Sequence, residues 1–434
     1  MVERLEPPPA TGPGREAASA GAPPHGTPPA VAQTGPARLG RLGPLLFAGH
    51  LSWALPANAA GTLLQALFAE QRADTKVAAA ATITAIGAVA SITATVAAGA
   101  LSDLTRSRHG RRNPWILGGA LVSATGLSLA GLTSVFAVQV ICFAVFQAGL
   151  GAMLAALYAI MPDRVAVSSL GKASALGAVG YLVGTALGGF VAAGLIESPA
   201  LGILVVPWTM VVAALLIVVL APDRSNLDQP RERLDVRAVL RSLRPPDDAD
   251  FRWAFAGRFA VILALFVVAF YQLYLFTDLI GVTTTRAGTL IATGTALLGV
   301  AALVASLVTG WLSDRQGRRK PIAVGASALI ALAALPLVLR PGIAAMMAFY
   351  VVAGLGYGAF LAVDGALMVE VLPAAGSEAK DLGVLSIANS APVVLGPVLA
   401  GVTVSLAGYR ALFVVSLVFA TAGALCIARI RRVR

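Results

Sequence analysis

The chain has 434 residues, 58% of them hydrophobic and 12% charged, with a formal net charge of +11. Soluble domains carry roughly 25% charged residues, so half that share excludes an ordinary water-solvated fold and makes lipid the solvent. The surplus of Lys and Arg does not signal nucleic acid, because these residues stand in short stretches between long apolar runs rather than on one basic face.

In hydrocarbon every backbone N–H and C=O must be bonded within the protein, which leaves helices and closed barrels. Barrel strands alternate apolar and polar residues. The runs here are continuous and rich in Ala, Leu, Val and Gly, the pattern of membrane-spanning helices. Residues 1–40 come first, rich in Pro, Gly and Ala and without periodicity. They read as a disordered cytoplasmic tail, and no apolar run ending in a cleavage site marks a signal peptide. Twelve spans follow, near 44–69, 76–101, 114–133, 135–162, 171–196 and 201–221, then about 253–279, 285–312, 320–339, 342–370, 380–407 and 409–428.

A central loop over 222–252 divides an N-terminal six-helix bundle (41–221) from a C-terminal one (253–434). Within that loop Val236, Val239, Leu240 and Leu243 share one helical face, and Arg237, Arg241 and Arg244 lie on another. This is either an amphipathic helix lying on an anionic membrane surface or a solvated linker helix. Cys142 and Cys426 fall inside apolar runs and read as buried thiols, so neither a disulfide nor a metal site is indicated.

Orientation follows from the alternate loops. One side holds only Arg72, Lys76, Arg286, Arg340 and Arg410; Arg258 lies inside a span, and the remaining Lys and Arg fall on the other side. That basic side, with both termini and the central loop, is cytoplasmic. The Arg-rich, Lys-poor composition indicates a high-GC bacterial genome and hence a bacterial cytoplasmic membrane.

Two loops repeat. The first reads Gly99-Ala-Leu-Ser-Asp103-Leu-Thr-Arg106-Ser-Arg108-His-Gly110-Arg111-Arg112-Asn-Pro114, the second Gly310-Trp-Leu-Ser-Asp314-Arg315-Gln-Gly317-Arg318-Arg319-Lys320-Pro321. In addition, Ala148-Gly149-Leu150-Gly151 in the fourth span recurs as Ala353-Gly354-Leu355-Gly356 in the tenth. Both point to a duplicated half, a recurrent way of building secondary transporters.

Six plus six helices with Gly-x-Leu-Ser-Asp…Gly-Arg-Arg loops after spans two and eight resemble the major facilitator superfamily. The resemblance implies an all-α membrane fold of two six-helix bundles around a central cavity, which rock to expose that cavity to either side. In such a fold Asp103 with Arg111 and Arg112, and Asp314 with Arg318 and Arg319, would latch the cytoplasmic side, the acid near the positive N-terminus of a helix in the opposite bundle. The longer first loop, Ser102-Asp103 through Arg112-Asn-Pro-Trp115, resembles the branch of sucrose transporters and glycoside–pentoside–hexuronide cation symporters. Ala362-Val363-Asp364-Gly-Ala-Leu and Lys380-Asp381-Leu-Gly look like its bacterial members. Plant sucrose–proton symporters carry an Asp where Gln147 stands and an Arg where Tyr158 stands, so their proton carrier and sugar clamp are missing here.

Ionisable residues inside a membrane are functional candidates by default. Asp364, within the tenth span, is the leading candidate for a protonatable or cation-coupled site, or else a structural acid bonded to a neighbouring helix. His50 is either a titratable group or a packing residue. Asp278, at the outer end of span seven and near Arg286, suits an outer gate. Asp163 and Glu370, at cytoplasmic ends, suit contacts with loop arginines. Neutral polar and aromatic groups for a hydroxylated solute are Asn58, Gln65, Gln147, Tyr158, Tyr271, Gln272, Tyr274 and Asn389. Each is otherwise a bond between helices.

The function expected is secondary active transport of a small sugar- or glycoside-like molecule, coupled to protons or sodium, by a monomer contacting membrane lipids. Export of a drug-like or natural-product compound by proton antiport is the alternative. It is weakened because the fifth span, Gly180-Tyr-Leu-Val-Gly184-Thr-Ala-Leu-Gly188-Gly189, has Thr185 where drug antiporters of the superfamily carry the proline of a Gly-Pro signature. No nucleophile–base set or phosphate loop supports an enzyme, and no cofactor is implied.

Overall fold

A computed structural model describes residues 42–164, 170–220, 222, 225–227, 248–371 and 378–432. The tail at 1–40, the amphipathic stretch around Val236–Leu243 and the segment containing Lys380 side-chain contacts lie outside what is described. The described chain is helical: α1 (Leu42–Gln71), α2 (Lys76–Leu104), α3 (Asn113–Gly131), α4 (Phe136–Arg164), α5 (Leu170–Gly194) and α6 (Pro199–Leu220) form a first half. A second half comprises α7 (Ala249–Ala269), α8 (Thr284–Gln316), α9 (Lys320–Leu339), α10 (Ile343–Glu370), α11 (Glu378–Ala407) and α12 (Arg410–Ala428). Eleven of the helices are long and apolar enough to cross a membrane. The exception is α1, whose His50, Asn58 and Gln65 dilute its hydropathy.

The helix pairing of the first half recurs in the second. The contacts α1·α5, α2·α4, α3·α4 and α3·α6 are matched by α7·α11, α8·α10, α9·α10 and α9·α12. The repeated glycines explain part of this. A Cβ on Gly149 would sit 2.6 Å from the Ser123 nitrogen of α3, and one on Gly151 2.5 Å from the Ser91 oxygen of α2. The second copy uses its two glycines with the neighbours exchanged: a Cβ on Gly354 would sit 2.6 Å from Leu298 O of α8, the match of α2, and one on Gly356 2.8 Å from Ala326 O of α9, the match of α3. Small residues let helix backbones meet where lipid offers no hydrophobic drive between helices. The same four-residue signature thus seats α4 and α10 between two neighbours each.

The duplicated loops also share a backbone device. Gly110 (φ 79°) and Gly317 (φ 61°) both take the left-handed conformation, which a side chain disfavours. Pro114 and Pro321 then start α3 and α9 in the first turn, where no donor is lost.

Two spans are broken where continuous helices were expected. In α6 the helix stops at Val205 and resumes at Trp208, because Pro207 has no N–H and clashes with the preceding turn. The span predicted over 253–279 is α-helical only to Ala269; a short turn at Gln272–Tyr274 and a π-helical turn at Leu275–Leu279 follow. The break releases the Phe270 carbonyl, which accepts a hydrogen bond from Gln65 Nε2 of the first half. A polar side chain from a neighbouring helix here takes the place of the missing intrahelical bond.

The chain end is tied back. Asp250, in the first turn of α7, accepts the backbone N–H groups of Arg431 (3.0 Å) and Arg432 (2.9 Å), and Arg432 pairs with Asp248 at 2.7 Å. Lys320 Nζ donates to Ile430 O at 2.6 Å.

Candidate functional site

The two faces of the molecule are named here by charge: an arginine-rich face carrying the Asp103 and Asp314 loops, and an arginine-poor face carrying Arg72, Lys76 and Arg410. Among the described residues, contacts between the halves gather toward the arginine-poor face. There α2 meets α11, with Gly401 close against Ala81, and α5 meets α8, with Gly189 close against Ala292. Tyr274 OH donates to Gln65 O and Tyr271 OH to Val77 O, both at 3.1 Å, and Thr285 Oγ1 to Glu197 Oε1 at 2.9 Å. At the rim, Lys76 Nζ lies 2.8 Å from both oxygens of Asp278, which also accepts from Tyr409 OH at 2.6 Å and Thr277 Oγ1 at 2.8 Å.

Several of these partners differ from the sequence-based expectation. Asp278 pairs with Lys76 of the first half rather than with Arg286. Tyr271 and Tyr274, expected to line a cavity, are fully buried with their hydroxyls spent on backbone carbonyls across the halves. Gln272 accepts from Tyr350 OH at 2.7 Å, inside the second half.

Nearer the arginine-rich face lies a buried ion pair. Arg258 Nη2 of α7 is 3.2 Å from Asp364 Oδ2 of α10, the two side chains 17% and 4% exposed. At 1.5 Å per residue, Arg258 stands ~14 Å from the start of α7 and Asp364 ~9 Å from the end of α10, both inside stretches long and apolar enough to cross a membrane. Asp364 Oδ1 and Arg258 Nε are buried with no hydrogen-bond partner. Asp364 was legible as an embedded acid; its partner was missed, although Arg258 is the one Lys or Arg inside a span and so the natural counter-charge.

Tyr357 of α10 lies within electrostatic reach of Arg258 and Asp364, and also of Tyr181 of α5 in the other half. Tyr181 packs on Trp53 with ring centroids 5.3 Å apart, and Tyr158 meets His50 edge-on at 5.5 Å. The His50 ring is buried, its Nδ1 2.9 Å from Leu46 O, and α5 closes on it at Gly177, where a Cβ would lie 2.9 Å from Cε1. Tyr158 is 48% exposed and Asn389 is exposed, whereas Gln147 is half-buried. Asn58 Nδ2 donates to Thr185 O at 2.9 Å, tying α1 to α5.

The loop arginines pair inside their own halves. Arg112 is 2.6 Å from Asp103 and, through Nε, 3.0 Å from Asp163, while Arg111 is 2.6 Å from Asp163. Arg112 Nη1 also donates to Ser102 Oγ at 2.5 Å. In the second copy Arg319 pairs with Glu370 and Arg318 is exposed; the Asp314 side chain lies outside the described residues. Beneath the first loop, Asn226 accepts from Ser107 N (2.9 Å) and donates to Thr105 O (2.7 Å).

The sequence model of the Major Facilitator Superfamily matches residues 44–304 and again 280–434. Among similar solved structures is a bacterial homologue of the human lysosomal transporter Spinster. Its inward-facing, occupied form is 15% identical, with 90% of this chain and 96% of that one covered and a TM-score of 0.68. Its inward-facing, unoccupied form has a TM-score of 0.62 at 15% identity, covering 90% of this chain and 95% of that one. A mutant of the nucleoside transporter NupG has a TM-score of 0.64 at 15% identity, covering 90% and 98%. At this identity the likeness establishes a common fold. Comparison with curated protein sequences finds no match.

Proposed function

The chain belongs to the Major Facilitator Superfamily, a multi-pass membrane transporter, and from that premise we propose proton-driven secondary transport of a small organic solute by alternating access, with Asp364 as the coupling acid. The observation that carries this reading is the Arg258–Asp364 pair. A buried carboxylate held at 3.2 Å by a single guanidinium, with one oxygen unpartnered, is suited to gain and lose a proton as its surroundings change. A proton is favoured over sodium, because the guanidinium beside Asp364 repels a metal cation and supplies no oxygen ligand to it.

The solute is sugar- or glycoside-like on the resemblance of the long first loop to sugar and glycoside symporters. Trp53, Tyr158, Tyr181 and Tyr357 offer stacking faces, and Gln147 and Asn389 offer amides that both donate and accept. Lys76 with Asp278 forms a gate on the arginine-poor face. The Asp103, Arg111, Arg112 and Asp163 cluster, with Arg319 and Glu370 in the second half, sets the loops that close the opposite side. We place the arginine-rich face and both termini in the cytoplasm of a bacterium, by the loop-charge asymmetry. With that orientation, the contacts between the halves on the arginine-poor face support a reading of this state as closed to the outside.

The test is uptake into proteoliposomes under an imposed pH gradient, using a panel of radiolabelled sugars and glycosides. Wild-type protein accumulates its solute; Asp364→Asn exchanges that solute across the membrane but does not concentrate it. Full accumulation by Asp364→Asn removes Asp364 from the coupling role.

A further inference from the structure

We infer that Arg258 receives a carboxylate of the solute, and that Asp364 occupies the guanidinium only until a proton removes it. This rests on the reading of Asp364 as the coupling acid and adds the chemical class of what is carried.

A buried donor or acceptor left without a partner is costly, and here one of each belongs to two side chains of opposite charge that face each other between α7 and α10. Arg258 Nε is such a donor, on a guanidinium that meets Asp364 only through Nη2. A guanidinium binds a carboxylate best through two parallel N–H groups. Asp364 engages it through one oxygen, Oδ2, and leaves Oδ1 bare. The pair is therefore incomplete on both sides: the cation has an N–H to give, and the acid has an oxygen ready to be protonated.

Among the described residues, Arg258 is the charged group bearing on Asp364, and Tyr357 is the other titratable group within reach. When Asp364 takes a proton, Arg258 loses its counter-charge in a medium where an unpaired charge is costly. A solute carboxylate restores it and engages Nε as well. The tally balances. With no solute the site holds one guanidinium and the Asp364 carboxylate; when loaded it holds the same guanidinium, the solute carboxylate and a neutral Asp364. One proton enters with each carboxylate and the net charge stays the same, so transport is electroneutral. Tyr357, on the same helix as Asp364 and within electrostatic reach of both members of the pair, offers a ring for the body of the solute.

The experiment separates charge from body with two matched pairs: glucuronate against glucose, and benzoate against benzyl alcohol. Binding to the purified full chain in detergent is measured by calorimetry at about pH 5.5 and pH 7.5, in buffers of different ionisation enthalpy so that proton uptake is counted. In at least one pair the acid is expected to bind tenfold or more tightly than its neutral partner, with ~1 proton taken up, and to weaken by tenfold or more at the higher pH. Asp364→Asn should bind the same acid with no proton uptake and less than about twofold change with pH, because Arg258 is then permanently free. Arg258→Gln should lose the acid; the double variant Arg258→Gln with Asp364→Asn, which leaves no buried charge, should lose it too while remaining folded.

The inference is overturned if neither acid outbinds its neutral partner, if Asp364→Asn keeps the pH dependence, or if either Arg258 variant binds as tightly as wild type. Glucose bound as well as glucuronate and concentrated by a pH gradient sinks the carboxylate assignment while leaving proton-coupled transport standing.

Discussion

Lys76→Gln tests whether the arginine-poor face is a gate. In the structure the Lys76 ammonium touches both oxygens of Asp278 at 2.8 Å and sits 5.0 Å above the Tyr274 ring, with the paired side chains 20% and 24% exposed. Fully exposed ion pairs contribute ~0.2–1 kcal/mol and hydrogen bonds to charged groups ~1.5–3. A partly shielded pair of this geometry is placed between them, at ~1–2 kcal/mol. The contact joins the two halves, so opening of this face would have to break it. Losing it therefore lowers the closed-to-open ratio by about 5–30-fold. Spin labels at Leu132 and Leu406, which are 65% and 83% exposed near this face on either half, report that ratio by pulsed electron resonance in a Cys142→Ser, Cys426→Ser background. The charge-exchanged protein, Lys76→Asp with Asp278→Lys, should recover much of the closed population. If Lys76→Gln leaves the distance distribution unchanged, the pair is not part of a gate.

Gly149→Ala should lower the melting temperature, because its Cβ would meet Ser123 N at 2.6 Å and Gly119 O at 2.8 Å, backbone that cannot turn aside; the cost is ~1–3 kcal/mol. Gly61→Ala, with nothing within 4 Å, should hold or raise it by virtue of better helix propensity, worth ~0.5–1 kcal/mol. Arg258→Gln leaves Asp364 buried without a counter-charge and should melt below wild type, while Arg258→Gln with Asp364→Asn recovers most of the loss; equal melting of all three proteins would show that the pair carries no electrostatic weight. Arg112→Ala, which unties Asp103, Asp163 and Ser102 from a side chain only 7% exposed, should destabilise by ~2–4 kcal/mol. Arg319→Ala, with partners 30% and 39% exposed, should cost ~0–1 kcal/mol in the same thermal assay.

The helices were legible in the sequence because hydropathy and length act locally: a run of Ala, Val, Ile and Thr such as 76–101 has no other stable state in lipid. Pro207 was a readable signal for the break in α6, since its effect lies in its own ring. The break after Ala269 was not readable. Nothing in Phe270-Tyr271 forbids helix, and what takes up the released carbonyl is Gln65, on the other half of the molecule. Partner choice failed for the same reason. Asp278 was placed at the outer end of span seven near Arg286 in sequence, and the fold brings Lys76 to it across the halves. Embedded charge singled out Asp364 without its partner, because a one-dimensional scan ranks acids by depth but does not show which helix faces them. The tyrosines at 271 and 274 had the right chemistry for a cavity, and only packing reveals that their hydroxyls already bind Val77 and Gln65 carbonyls.

The carboxylate of Asp250 grips the backbone of Arg431 and Arg432, so the segment that follows α12 is fastened to the first turn of α7. The helix that carries Arg258 is therefore braced by chain far from it in sequence, and Asp250→Ala, which unties both bonds, should loosen the start of α7 as well as the segment it holds.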